Sequence, residues 1–158
     1  MPATTVPSAA ALFGAASTAA LVAWVGLALT LAVPRLRRWG WRVTGVLLPA
    51  LLAAAYVAAL TAGVRDGGAG GFGSIGEVRA LFANDWALAA GWVHYLAFDL
   101  VVGTWIARTG VAAGVSRWLL LPCLALTFLV GPAGLLAYVL LRAAVAPRGA
   151  PRTWESLA

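Results

Sequence analysis

Four long apolar runs dominate the chain: Ala11–Val33, Val43–Val64, Trp86–Ala107 and Trp118–Leu141. No Asp, Glu, Lys or Arg interrupts the first, second or fourth. A bilayer core of about 30 Å needs about 20 helical residues at 1.5 Å each, so each run is long enough to cross. The pattern predicts an all-α, polytopic membrane protein. Its four transmembrane helices form a compact bundle, a single integral membrane domain over residues 1–158. The first run is longer than the roughly 7–15 apolar residues of a signal peptide, and Met1–Ala10 carries no positive charge. It reads as a retained helix, with no plastid transit peptide before it.

The polar intervals set the expected topology. Between the first two runs lies Pro34–Arg42, with Arg35, Arg37, Arg38 and Arg42 beside Trp39 and Trp41. Arginines there mark a cytoplasmic loop, and tryptophans suit the interface. With four crossings, Arg108 and Arg117 join that side, against Arg65, Arg79, Arg142, Arg148 and Arg152 on the other. The first loop usually dominates, so both termini are expected outside.

The interval Arg65–Asp85 is the one extended polar connection. It opens on Asp66–Gly73, too glycine-rich to hold one shape. Ser74 then stands three residues before Glu77, the spacing of a capping box. Ile75, Val78, Leu81 and Phe82 follow at helical spacing, which predicts a short helix lying on the membrane. The interval is either a plain surface loop or a lid over an opening between helices. Asn84 or Asp85 is expected to cap the third helix. Residues 143–158, with Pro147 and Pro151, read as a short disordered tail.

Composition sharpens this picture. Hydrophobic residues make up 63% of the chain and charged ones only 10%, against about 25% charged in a soluble domain. The net charge of +6 comes from arginine alone. Those arginines cluster between apolar runs, where they meet lipid headgroups, so membrane lipids are the expected partners and nucleic acid is not. The absence of lysine points to a GC-rich, bacterial genome and a multi-pass protein of the cell (inner) membrane. Cys123 is the single cysteine and His94 the single histidine. An intramolecular disulfide, a Cys-based cluster and a multi-His metal site are therefore excluded, and no metal or cofactor is expected.

Chemistry concentrates on the third run, where His94 and Asp99 lie near the bilayer centre. A central Asp costs about 2.5–3.5 kcal/mol on the insertion scale, so an intramembrane acid is read first as functional. At 100° per residue, Asp99 shares a stripe with Trp92, Tyr95, Gly103 and Ile106, and His94 lies about 140° away. The two residues serve different helix contacts, or they line two walls of one cavity. The competing reading of Asp99 is glue: a protonated acid donating to a neighbour's backbone carbonyl. His94 has the same alternative. Trp92, Tyr95, Phe98 and Trp105 read as packing residues, or as a slot for a flat hydrophobic ligand.

On the fourth run Cys123, Thr127, Gly131, Gly134 and Tyr138 form a stripe suited to close helix approach. Cys123 reads as an inert buried thiol. Pro132 lacks an amide and frees the carbonyl of Phe128, which a protonated Asp99 is expected to satisfy.

The segment Gly91–Gly103, with its His94-Tyr95-Leu96-Ala97-Phe98-Asp99-Leu100 core, and the later Thr127-Phe128-x-x-Gly131-Pro132-x-Gly134-Leu135-Leu136 together resemble the abscisic-acid-deficient-four family. Its members are small four-helix membrane proteins of plastids and bacteria, and the plant ones are implicated in forming neoxanthin from the epoxide violaxanthin. The resemblance implies an intramembrane, isomerase-type enzyme of carotenoid biosynthesis. His94, Asp99, Gly131 and Pro132 match its pattern. It also implies a basic residue where Thr104 stands and an acidic one near Thr109, and the chain departs at both.

Opening an epoxide to an allenic alcohol needs an acid at oxygen and a base at carbon, and no redox cofactor. Asp99 as acid and His94 as base would fill those catalytic roles. Trp92, Tyr95, Trp105, Thr127, Gly131 and Pro132 are the expected contacts to a carotenoid or isoprenoid ligand. Two other classes compete: a non-catalytic lipid- or pigment-binding subunit assisting a membrane-protein partner, and a small transporter subunit with Asp99 as proton site. Transporters more often pair broken helices, which ranks that class last.

Overall fold

The structure is a computed structural model describing residues 8–145. Ser8 starts α1 (Ala9–Ala32), its Oγ accepting from the Ala11 amide at 3.1 Å. The helix stops before Pro34, which disfavours helical geometry at Val33. A 3₁₀ turn (Pro34–Leu36) and α2 (Arg37–Arg42) carry the arginine-rich loop. This loop is pinned to α1: Arg37 Nε donates to the Thr30 carbonyl at 3.1 Å and Trp41 Nε1 to Thr30 Oγ1 at 3.0 Å.

The chain continues through a π-helical turn (Val43–Leu47) into α3 (Leu48–Arg65). Pro49 has no amide for the Gly45 carbonyl, and in the turn before it the Leu48 amide donates to Val43 instead, five residues back. From Pro34 to Arg65 this is one helical path of 32 residues.

The polar connection forms α4 (Ile75–Leu81) where the capping box lies. Ser74 Oγ accepts from the Glu77 amide at 3.2 Å, and a Glu77 carboxylate oxygen accepts from the Gly73 amide at 3.0 Å. The glycine-rich stretch, expected to hold no shape, folds back on this helix, with the Gly71 amide donating to the Glu77 carbonyl. Asn84 caps α5 (Asp85–Ala112), accepting from the Trp86 and Ala87 amides, and its own amide group donates to Asp66.

Helix α5 is the centre of the bundle and packs against α1, α3 and everything after it. Two apolar layers result. Toward the arginine-rich end, Trp24, Leu27 and Leu31 meet Leu100, Ile106, Leu120, Leu124 and Tyr138. Toward the other end, Ala16 and Ala20 meet Leu52, Val93, Leu96 and Ala97.

The fourth run departs from expectation. It forms two 14-residue helices, α6 (Arg117–Val130) and α7 (Pro132–Val145), joined at Gly131. Fourteen residues rise about 21 Å, short of a bilayer core. The two arms lie side by side: Gly134 packs directly on Thr127, and the Tyr138 hydroxyl reaches Thr109 near the end of α5. The run is thus a helical hairpin that enters from the arginine-rich end and returns to it. Among the described residues, three helical segments are long and apolar enough to cross a membrane, α1, Pro34–Arg65 and α5. The all-α membrane architecture stands, with the fourth crossing replaced by this hairpin.

The expectation of both termini on one side is corrected with it, since α1 begins at one end of the bundle and α7 finishes at the other. Helix α7 extends to Val145, into the expected tail. The remainder of that tail, 146–158, lies outside the described residues.

Candidate functional site

The hairpin turn is built by two residues with opposite constraints. Gly131 has φ +48°, a left-handed conformation that L side chains rarely adopt. Pro132 then opens α7, where its missing amide costs nothing. The same missing amide leaves the Phe128 carbonyl without a helical donor. Tyr95, not Asp99, supplies the bond: its hydroxyl donates to Phe128 O at 3.3 Å. The expected pairing of Asp99 with that carbonyl is therefore replaced by its neighbour one turn earlier.

Asp99 instead faces the turn itself. A methyl group added at Gly131 would lie 3.1 Å from both carboxyl oxygens, so the glycine makes room for the acid. Asp99 is half-buried, the Tyr95 hydroxyl is its near neighbour, and its Oδ2 is buried with no hydrogen-bond partner among the described residues. Buried polar oxygens are rarely left unpaired, and each one is costly.

A run of aromatic rings leads to this point from the end opposite the arginines. Phe13 of α1 packs on Trp92 with centroids 5.2 Å apart, and Trp92 on Tyr95 at 5.4 Å. Trp92 Nε1 donates to Ser17 Oγ of α1 at 2.9 Å, which fixes the ring. Phe13 and Trp92 remain 42% and 39% exposed, because the hairpin turns back at Asp99 and covers only the other half of the bundle. The result is an aromatic rail on α1 and α5 ending in a polar floor of Tyr95, Asp99 and the Gly131 turn. Phe13 and Ser17 were not legible as site residues, since they lie in an ordinary apolar run.

The other expected residues are placed as follows. His94 is exposed and lies on the α3 side, stacked on Phe98 at 4.6 Å and near Tyr56 at 5.7 Å. Of the two arrangements open from the sequence, the structure shows separate contacts: His94 toward α3, Asp99 toward the hairpin. Trp105 meets Tyr138 edge-on at 5.3 Å, and buried Thr127 donates to the Cys123 carbonyl at 2.8 Å. The first contact packs α5 on α7 and the second stays within α6, and neither involves Phe13 or Trp92 of the rail. Pro132 is exposed beside the turn, and Cys123 is buried.

The two departures from the family pattern have neutral partners. Thr104 is buried and donates to Thr44 at 2.8 Å, while Thr109 Oγ1 lies 2.7 Å from the Tyr138 hydroxyl. A separate groove of about 790 Å³ runs between α1 and the start of α3, lined by residues such as Thr18, Val22, Val43 and Leu51. None of the expected site residues lines it, and it has no chemistry beyond one hydroxyl. Among the described residues no cluster of His, Cys, Asp and Glu could hold a metal ion.

Comparison with curated proteins and with solved structures returns no match. The sequence profile of one family does match, over residues 11–138. That span contains the aromatic rail, Asp99 and the whole turn. The chain belongs to the ABA4-like family, described as ABA DEFICIENT 4-like.

Proposed function

We propose that the protein handles an isoprenoid lipid of carotenoid type inside the bilayer. The ligand's apolar length lies along Phe13 and Trp92, and its oxygen-bearing end reaches Asp99 and Tyr95. The observation that carries this reading is the unpartnered Oδ2 of Asp99 at the end of an exposed aromatic run. A hydroxyl end-group would donate to that oxygen, an epoxide would accept from it when it carries the proton, and flat conjugated chains pack well on aromatic faces. Membership in a neoxanthin-related family supports the same ligand class.

In the catalytic version of this reading, Asp99 gives a proton to the epoxide oxygen as the carbon–oxygen bond opens. A base then takes the proton from the adjacent carbon, so the reaction is an isomerisation without redox change. His94 is the base expected from the chemistry of the step. Its position on the α3 side favours a second reading, in which the protein binds the pigment and presents it to a partner enzyme. The hairpin resembles the half-helices of transporters, but a second broken helix in a matching repeat is lacking among the described residues.

Expression in a carotenoid-producing host, with and without this chain, tests the proposal. Pigment co-purifying with the protein supports binding, and a new pigment isomer in the host supports catalysis. Neither outcome in a host supplying carotenoid epoxides would overturn the ligand class.

A further inference from the structure

Where α1, α2, α5 and α6 end together, a cavity of about 350 Å³ opens between Leu31, Arg37, Val111, Gly114, Val115 and Arg117. Two arginines from different elements, Arg37 and Arg117, are among its lining residues. Arg37 is oriented by its Nε bond to the Thr30 carbonyl, which leaves its terminal nitrogens free of that contact. Arg117 is braced on the Trp118 ring at 5.4 Å. The floor is apolar, from Leu31, Val111 and Val115, and Gly114 turns the chain at φ +70°. The side chain of Ser116 makes no cap on α6, so the N-terminal end of that 14-residue helix adds to the positive field. No acidic residue lies at this end among the described residues: Asp66, Glu77 and Asp85 are at the opposite end, and Asp99 is midway.

We infer that this cavity binds the phosphate of an anionic membrane lipid, with Arg37 and Arg117 as the two contacts and the acyl chains leaving along the apolar helix ends. Paired arginines match a phosphate group, and basic pockets between helix ends at a membrane surface take acidic headgroups. Trp39, Trp41 and Trp118 surround the same end and place it at headgroup depth. The site is separate from the aromatic rail, so its occupancy does not depend on the pigment reading.

The test uses the full chain purified in neutral detergent and melted with added phosphatidylglycerol, phosphatidylcholine or inorganic phosphate at equal phosphate concentration. Phosphatidylglycerol alone is expected to raise the melting temperature, with saturation. Arg117→Gln should shift the half-effect concentration about tenfold or more, the value of a charge-assisted hydrogen bond. Arg38→Gln, at the same end but outside the cavity, should shift it about fivefold at most, through surface charge alone. Among the described residues the Arg117 side chain makes no hydrogen bond and touches only its neighbour Trp118 as a cation–π pair, and the lipid-free melting temperature of Arg117→Gln checks that the fold does not need it. Equal shifts in the two variants would reduce the site to diffuse charge and overturn the inference. An equal effect of phosphatidylcholine would assign it to acyl chains, and an equal effect of inorganic phosphate to a free anion; either result also overturns it.

Discussion

Thr109 and Tyr138 stand 29 residues apart and share a hydrogen bond of 2.7 Å between their hydroxyl oxygens. Thr109 lies one turn from the end of α5, beside the arginine-rich loop. The bond therefore fixes the direction of α7: the chain has turned round at Gly131 and come back. The same reversal reorders the charges. Among the described residues, Arg35, Arg37, Arg38, Arg42, Arg108, Arg117 and Arg142 gather at one end, and Arg65 and Arg79 lie at the other. Such an imbalance is what the positive-inside rule requires of a cytoplasmic face, and the hairpin sharpens it by returning Arg142 to that end.

The first prediction is topological. On a Cys123→Ala background, single cysteines replacing Arg38 and Val145 should react with an impermeant thiol reagent from the same side. A cysteine replacing Arg79 should react from the opposite side. Labelling of the Val145 position together with the Arg79 position would restore a fourth crossing and remove the hairpin.

Much of this was legible from residues alone, and the limits have physical causes. Ser74 and Glu77 sit at the spacing of a capping box, and α4 begins there. The angular separation of His94 and Asp99 follows from helix geometry, and the structure shows it. The break at Gly131–Pro132 was also readable. What could not be read was its consequence, because a glycine before a proline fits a kink as well as a reversal. The signs of φ at Gly131 and of the packing of Gly134 on Thr127 decide between them, and both are tertiary. Likewise the freed Phe128 carbonyl was visible, but Tyr95 and Asp99 lie on one stripe and only side-chain reach selects Tyr95.

The second prediction concerns the turn. Gly131→Ala places a side chain at positive φ, costing about 1–2 kcal/mol, and Gly134→Ala forces a methyl into Thr127, costing about 1–3 kcal/mol. Gly26, in the middle of α1, has nothing within 4 Å of an added methyl. Gly26→Ala should instead hold or raise stability by about 0.5–1 kcal/mol, since glycine is a poor helix former. Detergent melting of the three variants checks the contrast in sign. Equal behaviour would mean that the turn is not strained and the arms are not in contact.

The third prediction isolates the Tyr95 hydroxyl. Tyr95→Phe keeps the ring on Trp92 but leaves the Phe128 carbonyl with neither an amide nor a hydroxyl donor. An orphaned buried acceptor costs about 1–3 kcal/mol, so the melting temperature should fall. Tyr56→Phe, on the His94 side, serves as control and should be nearly silent, because among the described residues no hydrogen bond uses that hydroxyl. A silent Tyr95→Phe would show that the carbonyl finds another donor and that Tyr95 is free to serve a ligand alone.

The last prediction separates the roles of the two polar residues on α5. Asp99→Asn preserves size and hydrogen bonding but cannot deliver a labile acid proton. If Asp99 protonates an epoxide, the variant should stay folded, still carry pigment, and lose isomer formation by the roughly 10²–10⁴-fold typical of general acid catalysis. If Asp99 only anchors an oxygen, Asp99→Asn should bind nearly as well, while Asp99→Leu should release the pigment. His94→Gln completes the comparison, because its ring is stacked on Phe98 on the side away from the hairpin. Loss of isomer formation in both Asp99→Asn and His94→Gln would mean that the ligand wraps α5 and meets both walls. Loss in Asp99→Asn alone would leave Asp99 itself as the base, a carboxylate once its proton has gone to the epoxide oxygen. Pigment profiles of hosts expressing each variant, with protein amount held equal, read all of these outcomes. A fully active Asp99→Asn would remove the acid role and leave pigment binding as the function of the site.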